Sequence, residues 1–149
     1  MPRIERTADV VWEGNVARGA GTLSAGSGAF TGLGYSLPAR IGQPEGKTSP
    51  EELLAAAHGG CLTMGLASEL TTAGTPPGRL EATCRIVMDE VEGEGHQIVG
   101  SHVEIVAAVE GVDDAAFQEL VVKADASCPF TMLLKKAGVA VTVSARLAS

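Results

Sequence analysis

Cysteine is the residue type in this chain best suited to chemistry, because a thiolate acts both as a nucleophile and as a redox group. The chain has three cysteines, Cys61, Cys84 and Cys128. An odd number leaves at least one thiol free and argues against a structural disulfide framework. Any disulfide is therefore expected to belong to chemistry rather than to the scaffold.

Cys128 and Cys61 differ in their local sequence. Cys128 directly precedes Pro129 at the predicted start of a helix, where free backbone amides and the helix dipole favour a thiolate. A plain helix cap is the other interpretation, and the local sequence does not decide between them. Cys61 follows His58 by three residues in an apolar segment, so an imidazole on the same helix face could activate this thiol. By residue type alone, a core cysteine and a hydrogen-bonded core histidine are the simpler interpretations.

Other kinds of site lack their signatures. Cys84 lies on the apolar face of a predicted strand, which indicates a place in the core. The histidines and cysteines show no CxxC, HxxxH or HExxH spacing, so no metal site is predicted. The glycine-rich segment GAGTLSAGSG lacks the order of a nucleotide-binding loop, and no hydrolase signature is present. We expect neither a metal nor a bound cofactor.

The elements that must position these residues are predicted from capping and periodicity. Ser49, Pro50 and Glu52 form a helix start with a capping box, and an apolar helix follows over 51–72. The first 47 residues mix short apolar pieces with glycines, which is typical of short strands and turns. After the helix, the pattern predicts an antiparallel pair of strands, two helices and a closing strand, over 80–88, 103–109, 115–127, 130–138 and 139–147. This order is α+β, and no linker or repeat divides it, so residues 1–149 are predicted to form a single domain.

Composition and charge exclude several classes of protein. The chain has 149 residues, is 45% hydrophobic and carries a formal charge of −7, which describes a folded acidic domain. Its lysines and arginines are scattered, so a nucleic-acid partner is not expected. No stretch approaches the roughly 20 apolar residues that span a bilayer, and the N-terminus lacks a signal-peptide pattern. We expect a cytoplasmic protein that does not enter membranes.

Four segments together carry a resemblance over essentially the whole chain: WEGNVARGAGTLSAGSG, SLPAR, TSPEELLAAAHGGCLTMGLAS and KADASCPFTMLLK. The chain resembles the OsmC/Ohr family of thiol-dependent organic hydroperoxide reductases, and the OsmC branch more closely than the Ohr branch. The block PEELLAAAH with a nearby cysteine, and a distant Cys-Pro at a helix start, is far more specific than a lone cysteine.

The resemblance implies antiparallel sheets wrapped around central helices in an intertwined homodimer, with active sites at the subunit interface. By matched position, Cys61 resembles the peroxidatic cysteine and Cys128 the resolving one. Arg40 matches the arginine that holds the reactive thiolate, and Glu51 matches the carboxylate that pairs with this arginine. Gly59 and Gly60 stand where alanine is more usual.

The implied reaction reduces an organic hydroperoxide to an alcohol. Cys61 would become a sulfenic acid, Cys128 would condense with it, and a dithiol, such as a lipoyl group on a partner protein, would reopen the disulfide. The resemblance leaves two alternatives: a redox sensor that uses the same disulfide as a switch without significant turnover, and an inactive homologue with inert cysteines.

Two expectations conflict with local reasoning. The helix start favours Cys128 as the thiol of lower pKa, whereas the resemblance assigns the attack on the peroxide to Cys61. We follow the resemblance, because a guanidinium beside a thiol lowers its pKa more than a helix terminus does, which contributes about 0.3–1 kcal/mol. Glu51 and Cys61 are ten positions apart, about 15 Å along a continuous helix. We therefore expect either a helix break near Gly59 and Gly60, or an approach of Arg40 and Glu51 to Cys61 across the dimer interface.

Overall fold

The order of elements is that of an α+β protein, as the sequence predicts. A computed structural model describes residues 2–149 of the chain. The elements are β1 Ala8–Glu13, β2 Ala20–Ala25, β3 Leu33–Tyr35, α1 Leu37–Ile41, α2 Pro50–Thr72, β4 Arg79–Val91, β5 Gly95–Ala108, α3 Asp114–Ser127, α4 Pro129–Lys136 and β6 Ala140–Leu147. The chain divides into two compact units, of which the first ends at Pro50 and the second is Glu51–Ser149.

The first unit is a three-stranded antiparallel sheet in the order β1-β2-β3, followed by the short helix α1. The rings of Trp12 and Tyr35 contact each other with centroids 5.5 Å apart. Gly21 lies beneath this pair, and a Cβ there would fall 2.3 Å from the Tyr35 ring, so only glycine lets the ring lie across β2. The sequence pattern did not predict α1, which begins where the Ser36 hydroxyl accepts a hydrogen bond from the Ala39 N–H.

The second unit contains a sheet in the order β4-β5-β6. Strands β4 and β5 form the predicted antiparallel hairpin, with Cys84 opposite Val103. Strand β6 pairs with β5 in parallel, because the chain crosses over through α3 and α4 before it returns to the sheet. Alternation of apolar residues predicts a strand but carries no information on its direction, so this pairing was not foreseen.

The core of the second unit is built from two regular rows of side chains. In α2 every fourth residue from position 58 is buried, and in β5 every second residue from position 101 is buried. Each row is apolar except at its first member, which is His58 in the helix and Ser101 in the strand. Helix α3 covers the apolar part with Phe117, Val121 and Ala124. One end of the core is therefore polar.

Helix α2 runs unbroken over 23 residues, so the expected break at Gly59 and Gly60 is wrong. The hydroxyl of Thr63 donates to the carbonyl oxygens of Gly59 and Gly60 at 2.9 and 3.0 Å, which gives this turn an added link. A Cβ on Gly59 would lie 3.3 Å from the Cβ of Cys84. Glycine at this position thus lets the helix pack closely on β4 rather than ending it.

Among residues 2–149, no helix is both long enough and apolar enough to cross a membrane.

Candidate active site

The structure brings together two thiols that are 67 positions apart in the sequence. Cys61 is half-buried in the middle of α2, and Cys128 is buried between the end of α3 and the start of α4. Their side chains are hydrogen-bonded to each other, and both are free thiols. Two sulfur atoms in contact can be joined by oxidation with little movement of the backbone.

The Cys61 thiol lies in an environment with opposing effects on its ionisation. Burial raises the pKa of Cys61, and the hydrogen bond with Cys128 and the charge of Cys128 act in the same direction. A hydrogen bond from the backbone N–H of Phe130 lowers the pKa of Cys61. Phe130 is in the first turn of α4, so this N–H is one of the amides left free at the helix start. Within the second unit, the thiolate of Cys61 is therefore supported by the N-terminus of α4.

Cys128 occupies the N-cap position of α4, but its side chain makes no capping hydrogen bond there. Cys128 is therefore at the cap position that the helix-cap interpretation predicts, but its sulfur does not act as the cap. The backbone of Cys128 is hydrogen-bonded to both helices. Its N–H donates to the carbonyl oxygen of Asp125 in α3 at 3.3 Å, and its carbonyl oxygen accepts from the N–H of Met132 in α4 at 2.9 Å. Cys128 is thus fixed by its backbone, while its sulfur faces Cys61.

His58 does not activate Cys61, because both of its ring nitrogens are bonded to hydroxyl groups. Nδ1 lies 2.6 Å from Oγ of Ser101, and Nε2 lies 2.8 Å from Oγ1 of Thr131. The Thr131 hydroxyl donates to Asp125 at 2.9 Å. Burial lowers the pKa of His58, and the charge of Asp125 partly opposes this effect. The alternative of a hydrogen-bonded core histidine is the one that the structure supports.

This polar network was missed by sequence reasoning. Ser101 stands at the head of an apolar alternation, and Thr131 lies three residues after Cys128, but neither pattern identifies a histidine on another element as its partner. The available signal was a polar residue at the start of each apolar row, His58 in the helix and Ser101 in the strand, because buried polar groups need hydrogen-bond partners.

Cys84 lies at the edge of the core rather than inside it. It is half-buried, with its sulfur 3.5 Å from Oγ of Ser101 and 4.0 Å from Nδ1 of His58. It lines an open groove of about 480 Å³ between α2 and β4, along which Glu52 and Thr63 also lie. The alternation of apolar residues in β4 predicts that Ala82 faces the core on the same side as Cys84, but Ala82 is exposed.

Arg40 and Glu51 lie in different units. Arg40 is in the last turn of α1, where it lines a cavity of about 190 Å³ with Trp12 and Tyr35. Glu51 is in the first turn of α2, about 15 Å from Cys61 along this unbroken helix. The helix therefore does not bring Glu51 to the Cys61 of its own chain. No group of histidine, cysteine and acidic side chains within residues 2–149 is arranged to hold a metal ion.

The chain has clear relatives among known proteins. The family model described as OsmC-like protein matches residues 42–144. The proteins named peroxiredoxin OsmC from Escherichia coli and Shigella flexneri are each 35% identical over 132 residues, which are 89% of this chain and 91% of the relative.

Two solved structures share the fold. The organic hydroperoxide resistance protein OsmC of Legionella pneumophila has a TM-score of 0.72 at 20% identity, with 96% of this chain and 98% of that chain covered. The organic hydroperoxide resistance protein OhrB of Bacillus subtilis has a TM-score of 0.69 at 22% identity, with 94% and 98% covered.

Proposed function

Because the chain belongs to the OsmC-like protein family, we propose that it is a cysteine-based peroxidase that reduces organic hydroperoxides to alcohols. The observation that carries this proposal is the contact between the thiols of Cys61 and Cys128. A relative at 35% identity is named a peroxiredoxin, and structures with the same fold are named organic hydroperoxide resistance proteins.

The proposed reaction has three steps. The Cys61 thiolate attacks the terminal oxygen of the hydroperoxide, the O–O bond breaks, and the alkoxide takes a proton to leave as the alcohol. The Cys128 thiol then attacks the sulfur of the Cys61 sulfenic acid, and water leaves as the disulfide forms. A dithiol, such as a lipoyl group on a partner protein, reduces this disulfide in two exchange steps and is itself oxidised to a cyclic disulfide. No bound cofactor takes part.

The environment of Cys61 fits the first step in part. The Phe130 N–H favours the thiolate, whereas burial and Cys128 oppose it, so a further positive group is needed near neutral pH. We assign this role to Arg40, whose guanidinium would also donate to the departing oxygen, and we assign Glu51 the role of orienting Arg40 through a bidentate ion pair.

The unbroken α2 supports the other expectation, in which Arg40 and Glu51 reach Cys61 across the subunit interface. We therefore propose an intertwined homodimer in which residues 1–149 act as one OsmC-like domain and the active sites lie at the interface. The reducing conditions that a thiol cycle requires favour the cytoplasm as its location.

Steady-state turnover tests the proposal. The chain should consume cumene hydroperoxide or tert-butyl hydroperoxide in the presence of dihydrolipoamide. Cys61→Ser should abolish this activity, and Cys128→Ser should accumulate Cys61 as sulfinic or sulfonic acid. Full activity in Cys61→Ser would contradict the proposal.

The same experiment identifies the two alternatives. A redox sensor would form the Cys61–Cys128 disulfide once and show negligible turnover with peroxide and dithiol in excess. An inactive homologue would keep its free thiols after a stoichiometric addition of peroxide.

A further inference from the structure

The network around His58 has a geometric relation to both thiols. His58 precedes Cys61 by three residues in α2, and Thr131 follows Cys128 by three residues across the start of α4. Each is therefore about one helical turn from its cysteine. The hydrogen bond of 2.8 Å between His58 Nε2 and Thr131 Oγ1 ties the two turns that carry the thiols.

The direction of each hydrogen bond in this network follows from the number of protons available. The single hydroxyl proton of Thr131 goes to the Asp125 carboxylate, so Thr131 accepts from His58 and the proton of neutral His58 is on Nε2. Nδ1 is then an acceptor and takes the hydroxyl proton of Ser101. The chain of donors runs from Ser101 through His58 and Thr131 to Asp125, and each buried member is satisfied.

Asp125 accepts two hydrogen bonds from the α3–α4 junction that carries Cys128. Its carboxylate accepts from the Thr131 hydroxyl, while its backbone carbonyl accepts from the Cys128 N–H. Cys128 therefore lies between two bonds to the same residue, at the junction of α3 and α4. The imidazole of His58, on α2, is hydrogen-bonded to Thr131 in this junction and to Ser101 in the sheet.

We propose that His58 is a positioning residue for disulfide formation, which holds the first turn of α4, and with it Cys128, against Cys61 through its hydrogen bond to Thr131. This inference rests on the proposed function, since it concerns the second chemical step. His58 and Thr131 are 0% and 1% exposed, so water does not replace the bond when it is lost. Burial also lowers the pKa of His58, so the imidazole stays neutral near pH 7 and its two hydrogen bonds keep their directions.

Packing alone does not explain a histidine at this position. The row that starts at position 58 continues with Leu62, Leu66 and Leu70, and all three leucines are buried. An apolar residue at its head, facing an apolar residue at position 101, would extend the same core. The polar members occur only where α2 and β5 pass the junction that carries Cys128, and a hydrogen bond fixes separation and angle there more sharply than apolar contact does.

The test separates the two chemical steps. Thr131→Val keeps the shape of the side chain and removes the hydroxyl, Thr131→Ser keeps the hydroxyl, and His58→Leu continues the leucine row without a hydrogen bond. The exposed pair of His102 and Thr142, with Nδ1 and Oγ1 2.7 Å apart, lies on the opposite face of the sheet and supplies the matched control Thr142→Val.

Two rates are measured in single-turnover experiments: the formation of the Cys61 sulfenic acid with cumene hydroperoxide, and the closure of the Cys61–Cys128 disulfide. In Thr131→Val and His58→Leu, closure should slow about tenfold, as the loss of a buried hydrogen bond predicts. Sulfenic acid formation should change less than about twofold, because the Phe130 N–H and Cys128 move together with the start of α4 and act on the pKa of Cys61 in opposite directions. Oxidation of Cys61 to the sulfinic acid should rise accordingly. Thr131→Ser and Thr142→Val should close at the wild-type rate.

Closure at the wild-type rate in both Thr131→Val and His58→Leu would overturn the inference, as would equal slowing in Thr142→Val. Circular dichroism identifies a variant that fails to fold; if one does, the other variant decides. Closure is also measured with diamide, which oxidises thiols without peroxide. If diamide forms the Cys61–Cys128 disulfide in the wild type but the wild type shows no peroxidase turnover, only the proposed function is overturned. If diamide does not form this disulfide in the wild type, the inference is overturned as well.

Discussion

The backbone N–H of Phe130 donates a hydrogen bond to the sulfur of Cys61. Phe130 lies in the first turn of α4, whose N-cap residue is Cys128. The free amides at the start of α4 thus support a thiol on α2 and not the thiol that is adjacent in the sequence. The terminus of one helix and a cysteine of another are combined here by tertiary contact.

Cys128→Ala should lower the pKa of Cys61. Both the hydrogen bond with Cys128 and the charge of Cys128 raise this pKa, and alanine removes both, whereas the Phe130 N–H remains. The measurement is the rate of Cys61 carboxymethylation as a function of pH, followed by peptide mass spectrometry. Cys84→Ala serves as the control, and its Cys61 profile should match that of the wild type. An unchanged or raised pKa in Cys128→Ala would contradict the prediction.

Gly59→Ala should be about 1–3 kcal/mol less stable than Gly65→Ala, since both gain helix propensity but a methyl group at position 59 enters the tighter contact. The new Cβ would lie 3.3 Å from the Cβ of Cys84, whereas a Cβ on Gly65 of the same helix would meet Ala124 at 3.9–4.0 Å. Gly65→Ala is therefore the matched control, and it should gain about 0.5–1 kcal/mol from helix propensity. Urea denaturation gives both values. Equal effects of the two substitutions would show that the contact with β4 is not limiting.

Acid should destabilise the wild type more than His58→Gln. Burial lowers the pKa of His58, so the folded state binds this proton less readily than the unfolded chain does. Unfolding then takes up a proton, and the free energy of unfolding falls as the pH drops below about 6.5. The groups that face the imidazole are Ser101, Thr131 and Cys84, with the charge of Asp125 opposing the shift.

The measurement for this prediction is the free energy of unfolding by urea at pH values between about 7 and 5. His58→Gln should show the shallower dependence, and His102→Gln, on the opposite face of the sheet, is the control. Parallel curves for the wild type and His58→Gln would mean that His58 ionises equally well in both states.

The two ends of the buried network should differ in their contribution to stability. Ser101 is fully buried, and Ser101→Ala leaves Nδ1 of His58 without its donor, at a cost of about 1–3 kcal/mol. Lys135 pairs with Asp125 at 3.4 Å, but its side chain is 52% exposed, so Lys135→Met should cost less than about 1 kcal/mol. Thermal or urea unfolding of the two variants compares them. A larger loss from Lys135→Met would reverse this ranking.

Local signals predicted most elements. The start of α2 at Pro50 follows from the proline and its neighbours, and the burial of Phe117 and Val121 follows from helical spacing. Helix α1 was missed because five residues are too few to show periodicity. The parallel direction of β6 depends on the crossover through α3 and α4, which no pattern within the strand records.

The residues of the candidate site could be predicted only where they belong to a recognisable sequence motif. The pairing of Cys61 with Cys128 came from a family resemblance and not from spacing, because loop closure over 67 positions is set by the whole fold. The bonds from His58 to Ser101 and Thr131 connect three elements, so a single-sequence pattern shows only that each residue is polar. The Phe130 amide has no side-chain signal at all.

The two sulfurs are carried by helices of very different length. Cys61 is in the middle of a 23-residue helix anchored by its leucine row, whereas Cys128 heads an eight-residue helix. A covalent S–S bond is shorter than the contact between two hydrogen-bonded thiols, so one side must yield when the bond forms. We expect the short helix to move slightly more than the long one, so α4 is the part of the molecule where a fluorophore or an isotope label should register the oxidation state.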